Sequence, residues 1–259
     1  MNKSKRSKWL VAIKQKPNAK IRLFCLPFAG GNVLTYADWP DALPDFVELV
    51  AVQPPGRAER FFEKPFTSMN ELIDELFPHV EALMDKPYAI FGHSLGSRVA
   101  YELVCKLRDS GYPEPLCYFA SGSEAPHLPR TKEPIHALPQ AEFINALRDY
   151  DGTPEAVLEN EELMELCFPT LRADFEIAEK HRSTPGHKIN SPLSVFSGTE
   201  DRNVSDEGLQ AWNELFVGNG EITKFSGGHF FLDKECQSLL ERVSKTLIQS
   251  QNTATNSNI

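Results

Sequence analysis

Ser94 stands in Gly92-His93-Ser94-Leu95-Gly96, directly after the apolar run Tyr88-Ala89-Ile90-Phe91 and directly before a helix-period stretch from Arg98 to Leu107. A Gly-x-Ser-x-Gly between a strand and a helix is a nucleophile elbow. The turn is too tight for side chains two residues away on either side, so it lifts the hydroxyl above the sheet and aims the next backbone N–H at the reacting carbonyl. Alone the pattern is weak; the apolar strand before it and the periodic helix after it supply the context. A serine hydroxyl is a poor nucleophile until a histidine takes its proton, and the imidazole needs a carboxylate to hold its tautomer. Along a chain built around such an elbow the acid and then the histidine follow the serine.

Position sorts the seven histidines. His229 lies in Phe225-Ser226-Gly227-Gly228-His229-Phe230, straight after the last strand, where a glycine turn can swing the ring over the sheet's C-terminal edge. His93 adjoins Ser94 and reads as structural, since neighbouring side chains point apart. His79 falls in a helix, His136, His181 and His187 in a helical region or its exits, and His127 precedes any well-placed acid. Asp201 follows the strand 193–197 and is assigned as the acid, with Glu200 and Asp206 as near rivals and Glu124 as a distant one. The oxyanion needs two or more donors. One is assigned to the Leu95 N–H. The other is assigned to Ala29, in the loop Pro27-Phe28-Ala29-Gly30-Gly31 after the first strand, where small residues leave the backbone free to approach a substrate.

The elements that would position these groups alternate. Strands are expected over 21–26, 47–53, 88–91 and 116–120, with helices over 68–83 and 95–109 between them. That alternation marks a parallel sheet with right-handed crossovers. Ser68 and Glu71 form a capping box, and Pro78 predicts a kink or break. From about 123 to 185 the text is helical and strand-free, with helices expected over 140–148, 154–159 and 161–181, the last divided at Pro169. Such a block inserted into an alternating pattern reads as a lid over one end of the sheet. Alternation then resumes with a strand at 193–197, a helix at 207–216, a strand at 221–225 and a helix at 234–249. The fold class is therefore α/β: a mostly parallel central sheet flanked by helices, one domain over 21–249, with a basic extension at 1–20 and a disordered polar tail at 250–259.

Composition narrows the partners. With 259 residues and 41% hydrophobic content the chain can bury a substantial core, and its net charge of −9 argues against nucleic acid and gives no general pull toward anionic membranes. Five scattered cysteines without a CxxC pair read as reduced, buried thiols of a cytoplasmic protein, and no metal site is suggested. The basic N-terminus followed by Trp9-Leu10-Val11-Ala12-Ile13 is too short in its apolar core for a signal peptide, and no stretch approaches the ~20 apolar residues of a membrane span.

The sequence resembles the type II (external, editing) thioesterases that accompany non-ribosomal peptide and polyketide synthases. The similarity runs from about Ile21 to Ile248. It is carried by Leu26-Pro27-Phe28-Ala29-Gly30-Gly31, Gln53-Pro54-Pro55-Gly56-Arg57-Ala58-Glu59-Arg60, the elbow, and Ser121-Gly122 with Ala125-Pro126-His127. Gly152-Thr153-Pro154-Glu155, Leu171-Arg172-Ala173-Asp174-Phe175 and Gly227-Gly228-His229-Phe230-Phe231 continue it. The resemblance implies an α/β-hydrolase with a helical lid that hydrolyses acyl or aminoacyl groups from the phosphopantetheine arm of carrier proteins, as a monomer with no cofactor of its own. The family roles fall on Ser94 as nucleophile, His229 as base and acid, Asp201 as orienting carboxylate, and Ala29 and Leu95 as oxyanion donors. Some fatty-acid-synthase thioesterases use a second acid position, which would fall near Ser123-Glu124; that pair also departs from the small or basic residues expected there. Because carrier proteins are acidic, Arg57, Arg60, Lys64, Arg98, Arg130 and Lys132 are candidates for a local docking patch, against the plainer reading of solvated charges. Rival functions are a medium-chain fatty acyl-carrier thioesterase, a small-molecule carboxylesterase, and a silent hydrolase fold that only binds a synthase.

Overall fold

The computed structural model describes residues 7–150 and 158–256. Among these the sheet has seven strands: β1 (Leu10–Ala12), β2 (Ile21–Leu26), β3 (Val47–Val52), β4 (Tyr88–His93), β5 (Tyr118–Ser121), β6 (Leu193–Gly198) and β7 (Glu221–Phe225). Their spatial order is β1-β3-β2-β4-β5-β6-β7. Every pairing is parallel except that of β1 with β3. The alternating sheet expected from the sequence is present, and β4, which carries the elbow, lies centrally between β2 and β5.

Helices cover both faces of the sheet, short α1 (Trp39–Ala42) and α7 (Phe231–Lys234) among them, and β2 shows how. Successive side chains of a strand point to opposite faces. Ile21, Leu23 and Cys25 therefore enter one core, against Leu239, Val243 and Leu247 of helix α8 (Cys236–Asn256). Phe24 and Leu26 enter the other, against α2 (Met69–Glu81) and α3 (Leu95–Asp109). Burial on both faces explains why the strands read as continuous apolar runs rather than alternating ones. A third core belongs to the lid: Phe143 and Leu147 of α4 (Gln140–Tyr150) pack with Leu158 and with Met164, Leu171 and Phe175 of α5 (Glu161–Lys180). No helix of the described residues is long and apolar enough to cross a membrane.

Four expectations need correction. The first concerns the N-terminal extension, part of which belongs to the sheet. Leu10–Ala12 pairs with β3 along its otherwise open edge, Trp9 is buried beneath the Arg60 guanidinium at 4.2 Å, and Gln53 N–H donates to the Trp9 carbonyl at 2.7 Å. Covering an edge strand in this way satisfies its outward backbone groups.

Pro169 does not divide α5, nor does Pro78 break α2. An interior proline removes one helical hydrogen bond. In α5, buried Met164 before it and Leu171, Phe175 and Ile177 after it anchor both sides by packing, which is where helix stability in proteins mainly arises. The third correction is to the helix expected at 207–216, which is an α-helix, α6 (Asp206–Gln210), followed by a 3-10 turn (Ala211–Glu214). The last is to α8, which continues to Asn256, into the stretch expected to be a disordered tail. Its face remains apolar through Leu247, and Ser250 is still buried. Most of the helix expected at 154–159 and the whole Gly152–Glu155 segment lie outside the described residues.

Candidate active site

The elbow follows from two glycines that cannot be replaced. A Cβ on Gly92 would lie 2.3 Å from the Gly96 carbonyl oxygen, and one on Gly96 would lie 2.1 Å from the Leu26 carbonyl oxygen. With both bare, β4 turns straight into α3. Ser94, between them, takes φ 54° and ψ −118°, left-handed backbone that a non-glycine residue adopts only under constraint. The constraint is visible: Ser94 N–H donates to the Ser121 carbonyl at 2.7 Å, tying the turn to β5.

The hydroxyl so raised meets His229. Its Oγ lies 3.0 Å from His229 Nε2, and His229 Nδ1 lies 2.7 Å from Asp201 Oδ2. Asp201 Oδ1 accepts from Asn203 N–H at 2.8 Å, and the Asp201 side chain has no solvent exposure. A carboxylate fixed from both sides favours a proton on Nδ1 and leaves Nε2 as acceptor toward the serine. Glycine packing sets the two loops against each other: a Cβ on Gly198, at the end of β6, would stand 2.2 Å from the Gly228 carbonyl oxygen. Phe230 and Tyr150 stand nearly perpendicular to the imidazole, with centroids 5.1 and 6.2 Å away.

The other sequence candidates are placed elsewhere or already engaged. Glu124 accepts from Ser205 N–H and Oγ at 3.0 and 2.7 Å, holding the start of α6. Asp206 pairs with Lys224, and Glu200 is exposed. His127, His136 and His181 pair with Glu214, Glu179 and Glu102, and His79 with the Ser7 hydroxyl. His187 is exposed. His93 is fully buried with Nδ1 2.9 Å from Ser121 Oγ, and its ring lies 5.3 Å from that of His229. Burial, with the neighbouring His229 adding to it, holds its pKa well below the ordinary histidine value.

Ala29 and Leu95 line one cavity with Ser94 and His229. Leu95 opens α3, so its N–H is among the amides with no intrahelical partner. The Ala29 N–H has no hydrogen-bond partner among the described residues. Leu147, Tyr150, Leu171 and Phe175 supply the lid side of the cavity, and Arg98 and Glu124 make its wall partly ionic. The room inside is about 130 Å3. Among the described residues no group of three His, Cys, Asp or Glu side chains could hold a metal ion.

The docking patch fares differently. Arg57 and Arg60 are buried, the first paired with Asp174 and the second with Glu63 while donating to the Gln53 carbonyl. They are not surface charges, because each replaces solvent by fixed acceptors. Arg98 faces the cavity, donating to the Ala178 carbonyl, and only Lys64, Arg130 and Lys132 of the set are exposed. Sequence reasoning assigned no role to Asp174. The available signal was a carboxylate between Leu171 and Phe175 on the apolar stripe of a helix, a position that demands a buried partner.

A thioesterase-domain family model matches residues 21–247. The chain is 33% identical over 241 residues to the gramicidin S biosynthesis protein GrsT of Aneurinibacillus migulanus, covering 93% of this chain and 94% of that one. Its fold matches the type II thioesterase BorB from the borrelidin biosynthetic cluster with a TM-score of 0.84 at 34% identity, over 92% of this chain and 97% of that chain. It also matches ClbQ from the colibactin NRPS/PKS pathway with a TM-score of 0.86 at 29% identity, over 91% of this chain and all of the other.

Proposed function

The chain belongs to the thioesterase family, and from that premise we propose that it is an editing hydrolase of a non-ribosomal peptide or polyketide synthase, clearing acyl or aminoacyl groups from the phosphopantetheine arm of carrier proteins. One observation carries the mechanism: the unbroken relay from Ser94 Oγ through His229 to Asp201, with Ser94 and His229 lining the same cavity as Ala29 and Leu95.

Ser94 Oγ attacks the thioester carbon while His229 Nε2 takes its proton. The carbonyl oxygen becomes an oxyanion between the Leu95 and Ala29 N–H groups. Collapse breaks the C–S bond, and the thiol leaves with the proton from His229, giving an acyl-serine. A water, deprotonated by the same nitrogen, attacks that ester, and return of the proton to Ser94 frees the acid. Asp201 orients the ring and stabilises the imidazolium. A thiolate leaves more readily than an amine, so the second proton transfer need not be strong acid catalysis.

Arg98 and Glu124 in the cavity wall favour a short acyl group with polar atoms over a long alkyl chain. Of the original set Arg130 pairs with Glu179 and Lys132 donates to the Arg202 carbonyl and Asn203 Oδ1, so Lys64 is the exposed cation left for an acidic carrier. The test compares one acyl group on a carrier protein, on coenzyme A and on p-nitrophenol. The expected result is the highest kcat/KM on the carrier, abolished by Ser94→Ala. Preference for the p-nitrophenyl ester, or activity surviving Ser94→Ala, refutes the reading.

A further inference from the structure

Arg57 and Asp174 form a buried ion pair between the loop after β3 and the lid helix α5, and the pair does more than join them. The guanidinium meets the carboxylate with two contacts, Nη1 to Oδ2 at 2.5 Å and Nη2 to Oδ1 at 2.9 Å. Asp174 Oδ2 also accepts the Gly30 N–H at 2.7 Å. Asp174 is only 3% exposed and Arg57 only 7%. The carboxylate thus grips the peptide that immediately follows Ala29, the residue assigned to the oxyanion. A second tie, Gly31 N–H to the Phe28 carbonyl at 2.9 Å, holds the other side of the same turn.

More of α5 presses on these loops. Gly30 takes φ +79°, and a Cβ there would stand 2.6 Å from Leu171 Cδ2. The Thr170 hydroxyl donates to the Gly56 carbonyl at 2.6 Å, one residue from Arg57. Thr170, Leu171 and Asp174 therefore clamp two loops with one turn of helix.

We propose that Asp174, held by Arg57, is a positioning residue for the oxyanion loop, and that this turn of the lid helix is a fixed part of the catalytic frame rather than of a moving cover. The inference rests on the acyl-transfer reading above. The Ala29 N–H shares its peptide plane with the Phe28 carbonyl that Gly31 holds; with the Ala29–Gly30 peptide fixed by Asp174 as well, the torsions at Ala29 between the two planes are set. An amide aimed at the oxyanion acts only once the carbonyl oxygen carries charge, so its loss lowers kcat and leaves KM nearly unchanged. A pair that merely held the lid down would instead affect stability and substrate binding.

The experiment separates these outcomes with three variants: Asp174→Leu, Asp174→Asn, and Asp174→Leu combined with Arg57→Met. Thermal midpoint, kcat, KM and the rate of Ser94 labelling by a fluorophosphonate are measured on a carrier-bound thioester and on p-nitrophenyl acetate. Asp174→Leu strands a buried guanidinium and is expected to melt lowest; the double variant removes both charges and regains most of that loss. In both, kcat and labelling fall about 10- to 100-fold, part of what loss of an oxyanion donor costs, with KM within a few-fold. Asp174→Asn keeps an acceptor for Gly30 and recovers much of kcat although its ion pair is gone. A double variant that melts like the parent and turns over at the parental rate overturns the positioning role. So does a kcat that follows the melting temperature across the series. A parent whose Ser94 neither labels nor turns over either substrate overturns the acyl-transfer reading itself, and this inference with it.

Discussion

Gly198→Ala probes the site without touching any group assigned to chemistry. Its new Cβ would stand 2.2 Å from the Gly228 carbonyl oxygen and 2.4 Å from that of Gly227, where ordinary contact begins at 3.4 Å. One side must give by about 1 Å. Strand β6 is paired on both flanks, to β5 and β7. The Gly227–Gly228 turn is the side that yields, and it carries His229. The Nε2–Oγ separation is 3.0 Å. Lengthening it by that amount takes it beyond hydrogen-bond reach, and a misplacement of about 1 Å costs on the order of 100-fold in rate. Overpacking should also remove about 1–3 kcal/mol of stability. Gly228→Ala is the matched control: it sits in the same turn, its backbone is not left-handed, and its Cβ would meet nothing within 4 Å. Steady-state hydrolysis of a carrier-bound thioester, with urea unfolding beside it, reads both variants. A folded Gly198→Ala within threefold of the parental kcat refutes the reasoning, as does an equal loss in Gly228→Ala.

Two other expectations follow from groups around the site. His93 is neutral in the fold because burial lowers its pKa, whereas in the unfolded chain it takes up a proton near the ordinary value of 6.5. The unfolded state thus binds more protons as pH falls, and stability drops below that value by up to about 1.4 kcal/mol per pH unit. His93→Gln should flatten the stability curve between pH 7 and pH 5 by one proton's worth, measured by urea unfolding; an unchanged slope refutes it. Burial also pushes the Cys105 thiol up to about 11 and Cys117 up to about 12, and Cys25 is raised well above its ordinary range. A disulfide reagent at pH 7.5 should therefore label these three only slowly in the native chain and leave turnover intact, whereas rapid labelling with loss of activity contradicts their placement.

The parts legible in the sequence were those whose cause is local. Gly92 and Gly96 announce the elbow because the pattern that spells it lies within five positions, although the carbonyl that excludes a side chain at Gly96 belongs to distant Leu26. The doubly buried strands announce themselves as apolar runs. The Ser94, Asp201 and His229 candidates, chosen by strand end and chain order, come together in space; their assigned roles stand on the assays above. Long-range demands were hidden. The partners Arg57 and Asp174 are 117 positions apart, so a buried clamp read as a surface cation. Strand β1 is three residues long, too short for a period to show. Pro169 misled because its cost is written in the sequence, while the packing that offsets it is not.

With Ser94 as the proposed nucleophile, its torsion makes catalysis and heat resistance opposing demands on a single residue. Left-handed backbone at φ 54° costs a serine about 1–3 kcal/mol and a glycine far less. The Ser94→Gly chain, inactive under the proposed mechanism, is then the sturdier one. Populations of variants sorted by survival of heating alone would drift toward glycine at 94, so any campaign to toughen this protein must score turnover in every round.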